Sequence, residues 1–195
     1  MQAWRRWAKK PFPAVSDPVI ALALLGAAAS SSATIEEFER TLAAQDSATA
    51  ALGEWCERHK IATAASIRAS VVERSASAGA ETRRLLNLGP GDPVGYRHVR
   101  LSCGHAVLSE AYNWFAPGRL TPEMNQALGE GDTPFGKIAA PLGFRRVRLL
   151  EERGTAEFCP PDTILIHRAL LRLPGGQPLA YVVECYTAAN LKLAR

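Results

Sequence analysis

Residues Val94 to Pro117 read VGYRHVRLSCGHAVLSEAYNWFAP. Two runs rich in β-branched and aromatic residues flank Cys103-Gly104-His105, a short polar connection with a glycine, and the pattern predicts a β-hairpin. Alternation along the first arm places Arg97, Val99, Leu101 and Cys103 on one face, and Tyr96, His98, Arg100 and Ser102 on the other. Arg97 thus shares a face with apolar neighbours. A guanidinium there stays charged and needs an anionic partner, either a carboxylate of the protein or that of a bound ligand.

A second anchor lies in LAYVVECY, residues 179–186. Glu184 alternates with Val182 and Tyr186 and is flanked by Val183 and Cys185. A carboxylate in so apolar a run must be paired or protonated. Arg97 is one candidate partner. The functional alternative puts Arg97 and Glu184 at opposite ends of a small pocket, taking a ligand's carboxylate and hydroxyl respectively.

Between and around these anchors the chain punctuates itself clearly. Thr34 with Glu37 resembles a capping box, and a first helix follows as far as a break at Gln45-Asp46-Ser47. Asp46 or Ser47 caps a second helix over Ala48–Arg58. Residues 65–74 alternate as a first strand. Residues 81–86 form a helical turn, and Leu88-Gly-Pro-Gly-Asp-Pro93 is a turn cluster entering the hairpin. Thr121-Pro122-Glu123 starts one short helix, and Asp132-Thr133-Pro134 repeats the device before Phe135–Leu142. Strands follow at 144–152, 163–173 and 178–187, the last two joined through Pro174-Gly175-Gly176. Six strands with clustered helices predict an α+β fold with a mainly antiparallel sheet. Strict βα alternation is missing, which excludes a Rossmann-type domain.

Charge argues against a nucleic-acid partner. The formal net charge is +4 over 195 residues, but residues 1–33 hold four basic residues against one acidic. Residues 34–195 hold 19 basic and 18 acidic residues, so the folded part is nearly neutral. Hydrophobic residues make up 47% of the chain, enough for a substantial core.

Residues 1–33 combine a basic Trp-containing start, the apolar run VIALALLGAAA and a small-residue end. They read as a secretory leader, which implies export to the periplasm, or as a helical or disordered leader on a cytoplasmic protein. The apolar run is too short for a stable membrane span. Residues 34–195 then form a single domain, expected as a monomer. Cys56, Cys103, Cys159 and Cys185 form no CxxC, and the histidines have no metal spacing, so no metal is expected. In an exported protein the cysteines admit one or two disulfides whose pairing is open, and as buried thiols they behave as small apolar residues. No GxSxG, P-loop or GxGxxG motif occurs. His98 and His167 stand alone in strands.

Taken together, four short motifs resemble the chorismate pyruvate-lyase family, over residues 42–187. DSAT at 46–49 is similar to that family's DSMT element. YRHVRL at 96–101 resembles the strand whose arginine holds the substrate carboxylate, a place taken by Arg97. DTPFG at 132–136 is similar to the TPLG helix start, where a backbone group contacts the ligand. VVECY resembles the strand bearing the pocket glutamate, matched by Glu184. Ala48 stands where the family has Met, and Phe135 where it has Leu.

The resemblance implies a six-stranded antiparallel sheet with flanking helices, and cofactor-free elimination of pyruvate from chorismate to give 4-hydroxybenzoate for ubiquinone synthesis. It also implies that Arg97, Glu184, Phe135 and Ala48 surround an aromatic or cyclohexadiene carboxylate. Arg97 and Glu184 would be the catalytic pair. The reaction's driving force is large, so the protein mainly binds and orients. The competing expectation is a non-catalytic, exported binder of small aromatic carboxylates. The same fold serves as the sensing domain of bacterial transcription regulators, but this chain is read as a binding module because 195 residues leave no room for a helix-turn-helix. A third reading has Arg97 and Glu184 paired for structure alone.

Overall fold

The computed structural model describes residues 35–64 and 66–192. The expected leader, the Thr34 cap and the start of the first predicted strand at Ala65 lie outside them. The described chain runs helix α1 (residues 35–43), α2 (Ala48–Arg58), strand β1 (Ile67–Glu73), α3 (Ala80–Leu85), β2 (Gly95–Cys103), β3 (Ala106–Phe115), α4 (Pro122–Glu130), α5 (Phe135–Ala139), β4 (Arg145–Arg153), β5 (Thr163–Arg172) and β6 (Pro178–Thr187).

The six strands form one antiparallel sheet in the order β1-β2-β3-β6-β5-β4. The central hairpin forms as the alternation predicts, with Gly104 at φ +56° in its turn. That left-handed conformation favours glycine. Strand β6, almost wholly buried, lies between β3 and β5. Its burial on both faces explains why its sequence is a continuous apolar run.

Ser47 caps α2 by accepting the Ala50 N–H at 3.4 Å, and Thr121 caps α4 through the Met124 N–H at 3.2 Å. The expected repeat of this device at α5 does not form. Pro134 occupies the cap position with no side-chain bond, and after Ala139 the helix tightens into a 3₁₀ turn, Ala140–Leu142. Pro141 lies in that turn and has no N–H for an α-helical bond. Gly143 ends the segment at φ +64°.

Two apolar clusters fill the helix side of the sheet. One gathers Phe38, Leu42, Leu52, Trp55, Val99, Leu101 and Tyr186 around α1 and α2. The other gathers Phe115, Leu128, Phe135, Phe144, Leu171 and Val182 around α4 and α5. A smaller cluster on the opposite face centres on Ile166, Val183, Cys159 and Cys185.

All four cysteines are paired. Cys56–Cys103 ties α2 to β2, and Cys159–Cys185 ties the β4–β5 loop to β6. The bridges close separations of 47 and 26 residues, which in the chain-entropy picture contribute about 3–4 kcal/mol each. The partners lie far apart in the chain, so only the fold could choose the pairing.

Candidate functional site

Where the two helix-side clusters meet, the packing leaves a cavity of about 30 Å³, room for about one water molecule. Val99, Leu101 and Ala111 contribute from one cluster, and Phe135, Phe144, Leu171 and Val182 from the other. Its polar lining comes from Ser47 and Thr49 at the start of α2, from Asn113, and from Arg146 and Glu184. Gly136 lets α5 come this close to α2, because a Cβ there would collide with Ser47 Oγ and press on Thr49 Oγ1.

Three of the four residues singled out from the sequence, Ala48, Phe135 and Glu184, line this cavity together. Arg97 does not line it, although Val99, two residues along the strand, and Asn113, its partner across the ladder, both do.

The two charged anchors do not pair with each other. Glu184 is 5% exposed and is clamped by Arg146, which donates Nη1–H to Oε1 at 3.0 Å and a second bond from Nη2 to Oε2. Tyr186 donates its hydroxyl to Oε2 at 3.0 Å. Arg146 Nη2 also donates to His167 Nδ1 at 3.2 Å, so that nitrogen carries no proton. Burial opposes the charge on Glu184, but Arg146, His167 and Tyr186 outweigh it and hold the carboxyl below its ordinary range. Burial likewise opposes the charge on Arg146, and Glu184 and Tyr186 push its pKa up regardless. Burial lowers the pKa of His167.

Arg97 is 2% exposed and has no carboxylate partner among the described residues. It donates Nη1–H to Thr133 O and Nη2–H to Gly131 O, each at 3.1 Å, and its Nε has no hydrogen-bond partner. Burial, with Arg74 nearby, lowers its pKa to about 10, so it is still a cation at neutral pH.

The sequence reading missed Arg146. It stands in RRVRLL, a run so basic that it reads as an exposed strand, and nothing local shows that one of its arginines reaches inward. Asn113, Phe144, Tyr186 and His167 also join the site or its support. Only the alternation of β3, β5 and β6 gave any signal for Asn113, His167 and Tyr186. No group of three or more His, Cys, Asp or Glu that could hold a metal occurs among the described residues. No helix among those residues is long and apolar enough to cross a membrane.

No protein-family model matches the chain. Among solved structures it resembles PhnF from Mycobacterium smegmatis, with a TM-score of 0.57 and 12% identity over 75% of this chain and 65% of that one. The effector domain of PhnF alone matches with a TM-score of 0.52 and 12% identity, over 63% of this chain and 82% of that one. The possible transcriptional regulator YydK from Bacillus subtilis matches at 15% identity and a TM-score of 0.49, over 66% of this chain. This chain spans 62% of the length of YydK and 65% of that of full PhnF, less than two thirds of each.

The fold is therefore that of the C-terminal effector domains of GntR-family regulators, which is the chorismate-lyase-like fold. By sequence, the uncharacterized protein y4mC of Sinorhizobium fredii is 37% identical over 175 residues, 80% of this chain and 74% of that protein. The chain belongs to the same family as y4mC.

Proposed function

We propose that this domain binds a small aromatic carboxylate in the cavity between β2, β3, β6 and helices α2 and α5, without turning it over. The observation that carries the reading is the buried cation Arg97, which has no carboxylate partner among the described residues and lies beside a cavity that ends on Glu184. The Arg146–Glu184 pair is neutral as a unit, so Arg97 leaves the region with net positive charge and favours an anion.

In this reading Arg97 exchanges its two backbone carbonyl partners for the ligand carboxylate. The aromatic ring lies against Phe135 and Ala48. Glu184 accepts three hydrogen bonds from Arg146 and Tyr186, and keeps about one lone-pair direction for a ligand hydroxyl. The cavity holds about one water as it stands, so α5 and the 131–134 loop must move outward for a ring to enter.

A second reading, chorismate pyruvate-lyase activity with Arg97 and Glu184 as its catalytic pair, rests on the motifs DSAT, YRHVRL, DTPFG and VVECY. The two disulfides favour the binder. Disulfides persist in oxidising compartments, whereas chorismate is a cytoplasmic metabolite.

Calorimetry of the full chain with 4-hydroxybenzoate tests the binding, and release of pyruvate from chorismate by the same sample tests turnover. Binding without turnover, weakened at least tenfold in Arg97→Met, is expected. Equimolar pyruvate and 4-hydroxybenzoate would establish the lyase instead. Unchanged affinity in Arg97→Met would remove Arg97 from the site.

A further inference from the structure

The two edges of the sheet are finished differently. At β1 the chain bonds its own edge, with the Ala69 N–H donating to Asp132 O at 2.8 Å. Strand β4 has β5 as its only neighbour among the described residues, and all of it except Arg146 is exposed. Val147 is 41% exposed, Leu149 46% and Leu150 38%. Phe158, also exposed, lies under the Arg168 guanidinium, and Arg168 is the ladder partner of Leu150. An open strand edge carrying branched apolar side chains is a template for another strand.

The sequence of β4 specifies which strand fits. Arg145-Arg146-Val147-Arg148-Leu149-Leu150-Glu151-Glu152 is basic in its first half and acidic at its end. Laid antiparallel on itself about a dyad between Arg148 and Leu149, it brings Arg145 to Glu152, Arg146 to Glu151 and Val147 to Leu150. In a regular strand that register fails, because residues 147 and 150 point to opposite faces and partners across a ladder must share one.

Strand β4 is not regular. Its pairing with β5 slips between Arg148 and Leu150, so Leu149 is an extra residue and the faces exchange beyond it. Val147 pairs with Leu170 and Leu150 with Arg168, both on the face away from α1 and α2. Arg146 pairs with Leu171 and Glu151 with His167, both on the helix side. The bulge thus brings charge sign, hydropathy and facing into agreement in one register. The Arg146 N–H already donates to Asp46 Oδ1 at 3.1 Å, which confines the open ladder to residues 147–150, with Arg145 and Glu152 as flanking charges.

We propose that β4 pairs with β4 of a second copy of this chain about a two-fold axis, joining two sheets into one of twelve strands. Each Arg145 meets Glu152 of the other copy, and each Val147 packs on its Leu150. Self-complementarity under antiparallel pairing is the signature of an isologous contact, which makes a second copy the fitting occupant. The proposal replaces the monomer expected from the sequence and does not depend on the ligand reading.

Analytical ultracentrifugation of the full chain over a wide concentration range tests it, with circular dichroism confirming that each variant is folded. A dimer is expected. Arg145→Glu alone and Glu152→Arg alone should each weaken it at least tenfold, because each replaces two attractive contacts by two repulsive ones. The double reversal R145E/E152R should restore it. A monomer at every concentration overturns the proposal. So does a dimer indifferent to the single reversals, or one that the double reversal fails to rescue.

Discussion

Arg97 on β2 and Arg146 on β4 both reach the helix side of the sheet, and they are held in opposite ways. Arg146 sits in a carboxylate clamp with Tyr186 and His167 completing it. Among the described residues Arg97 has only two backbone carbonyls and an Nε with no partner. The pKa of one is pushed up and that of the other falls to about 10. A buried cation with its own carboxylate belongs to the architecture. One held by carbonyls alone is cheaper to redirect, because a charge-assisted bond to an incoming carboxylate is stronger than the neutral bonds it replaces.

Removing each side chain should break this symmetry first. Arg146→Met leaves Glu184 buried beside a neutral group and should cost about 3–5 kcal/mol in urea unfolding, with Arg146→Met/Glu184→Gln recovering part of the loss. Arg97→Met removes an uncompensated charge together with two bonds to carbonyls. Its change should stay within about 1.5 kcal/mol. Equal losses at the two positions would mean that Arg97 has a structural partner after all.

Acid gives the smallest test. His167 has its pKa lowered from the ordinary 6.5 by burial, and Glu184 is held below its ordinary 4.5. Below pH 6.5 the unfolded chain binds protons that the folded chain refuses, so stability falls as pH falls, by up to about 1.4 kcal/mol per pH unit per group. The His167 share begins first and should vanish in His167→Gln, while the Glu184 share, present above its unfolded pKa, is lost only at lower pH. A slope between pH 5 and 6.5 that persists in His167→Gln would place the titrating group elsewhere.

The central hairpin, all six strands, the α2 boundaries and the burial of Arg97 and Glu184 were legible in the chain. Each depends on residues a few positions apart, where alternation, caps and turn residues act directly. Asp132-Thr133-Pro134 was legible only as a place for a helix to begin, and the prediction of a side-chain cap failed because Pro134 itself took that position. Glu184 has a charged partner as its apolar surroundings require, but that partner is Arg146, and Arg97 meets only backbone carbonyls among the described residues.

The sequence by itself determined which segments are strands and helices, and that Arg97 and Glu184 lie among apolar neighbours, because backbone periodicity and desolvation act locally. Only the tertiary structure decided who meets whom: Arg146 rather than Arg97 for Glu184, Cys103 for Cys56, Cys185 for Cys159. These partners are 26 to 47 residues apart in the chain. They are brought together by the order β1-β2-β3-β6-β5-β4, which sets β6 between β3 and β5 and leaves β4 at an edge. Strand order is a property of the whole packed sheet, and no local pattern in β2, β4 or β6 encodes it.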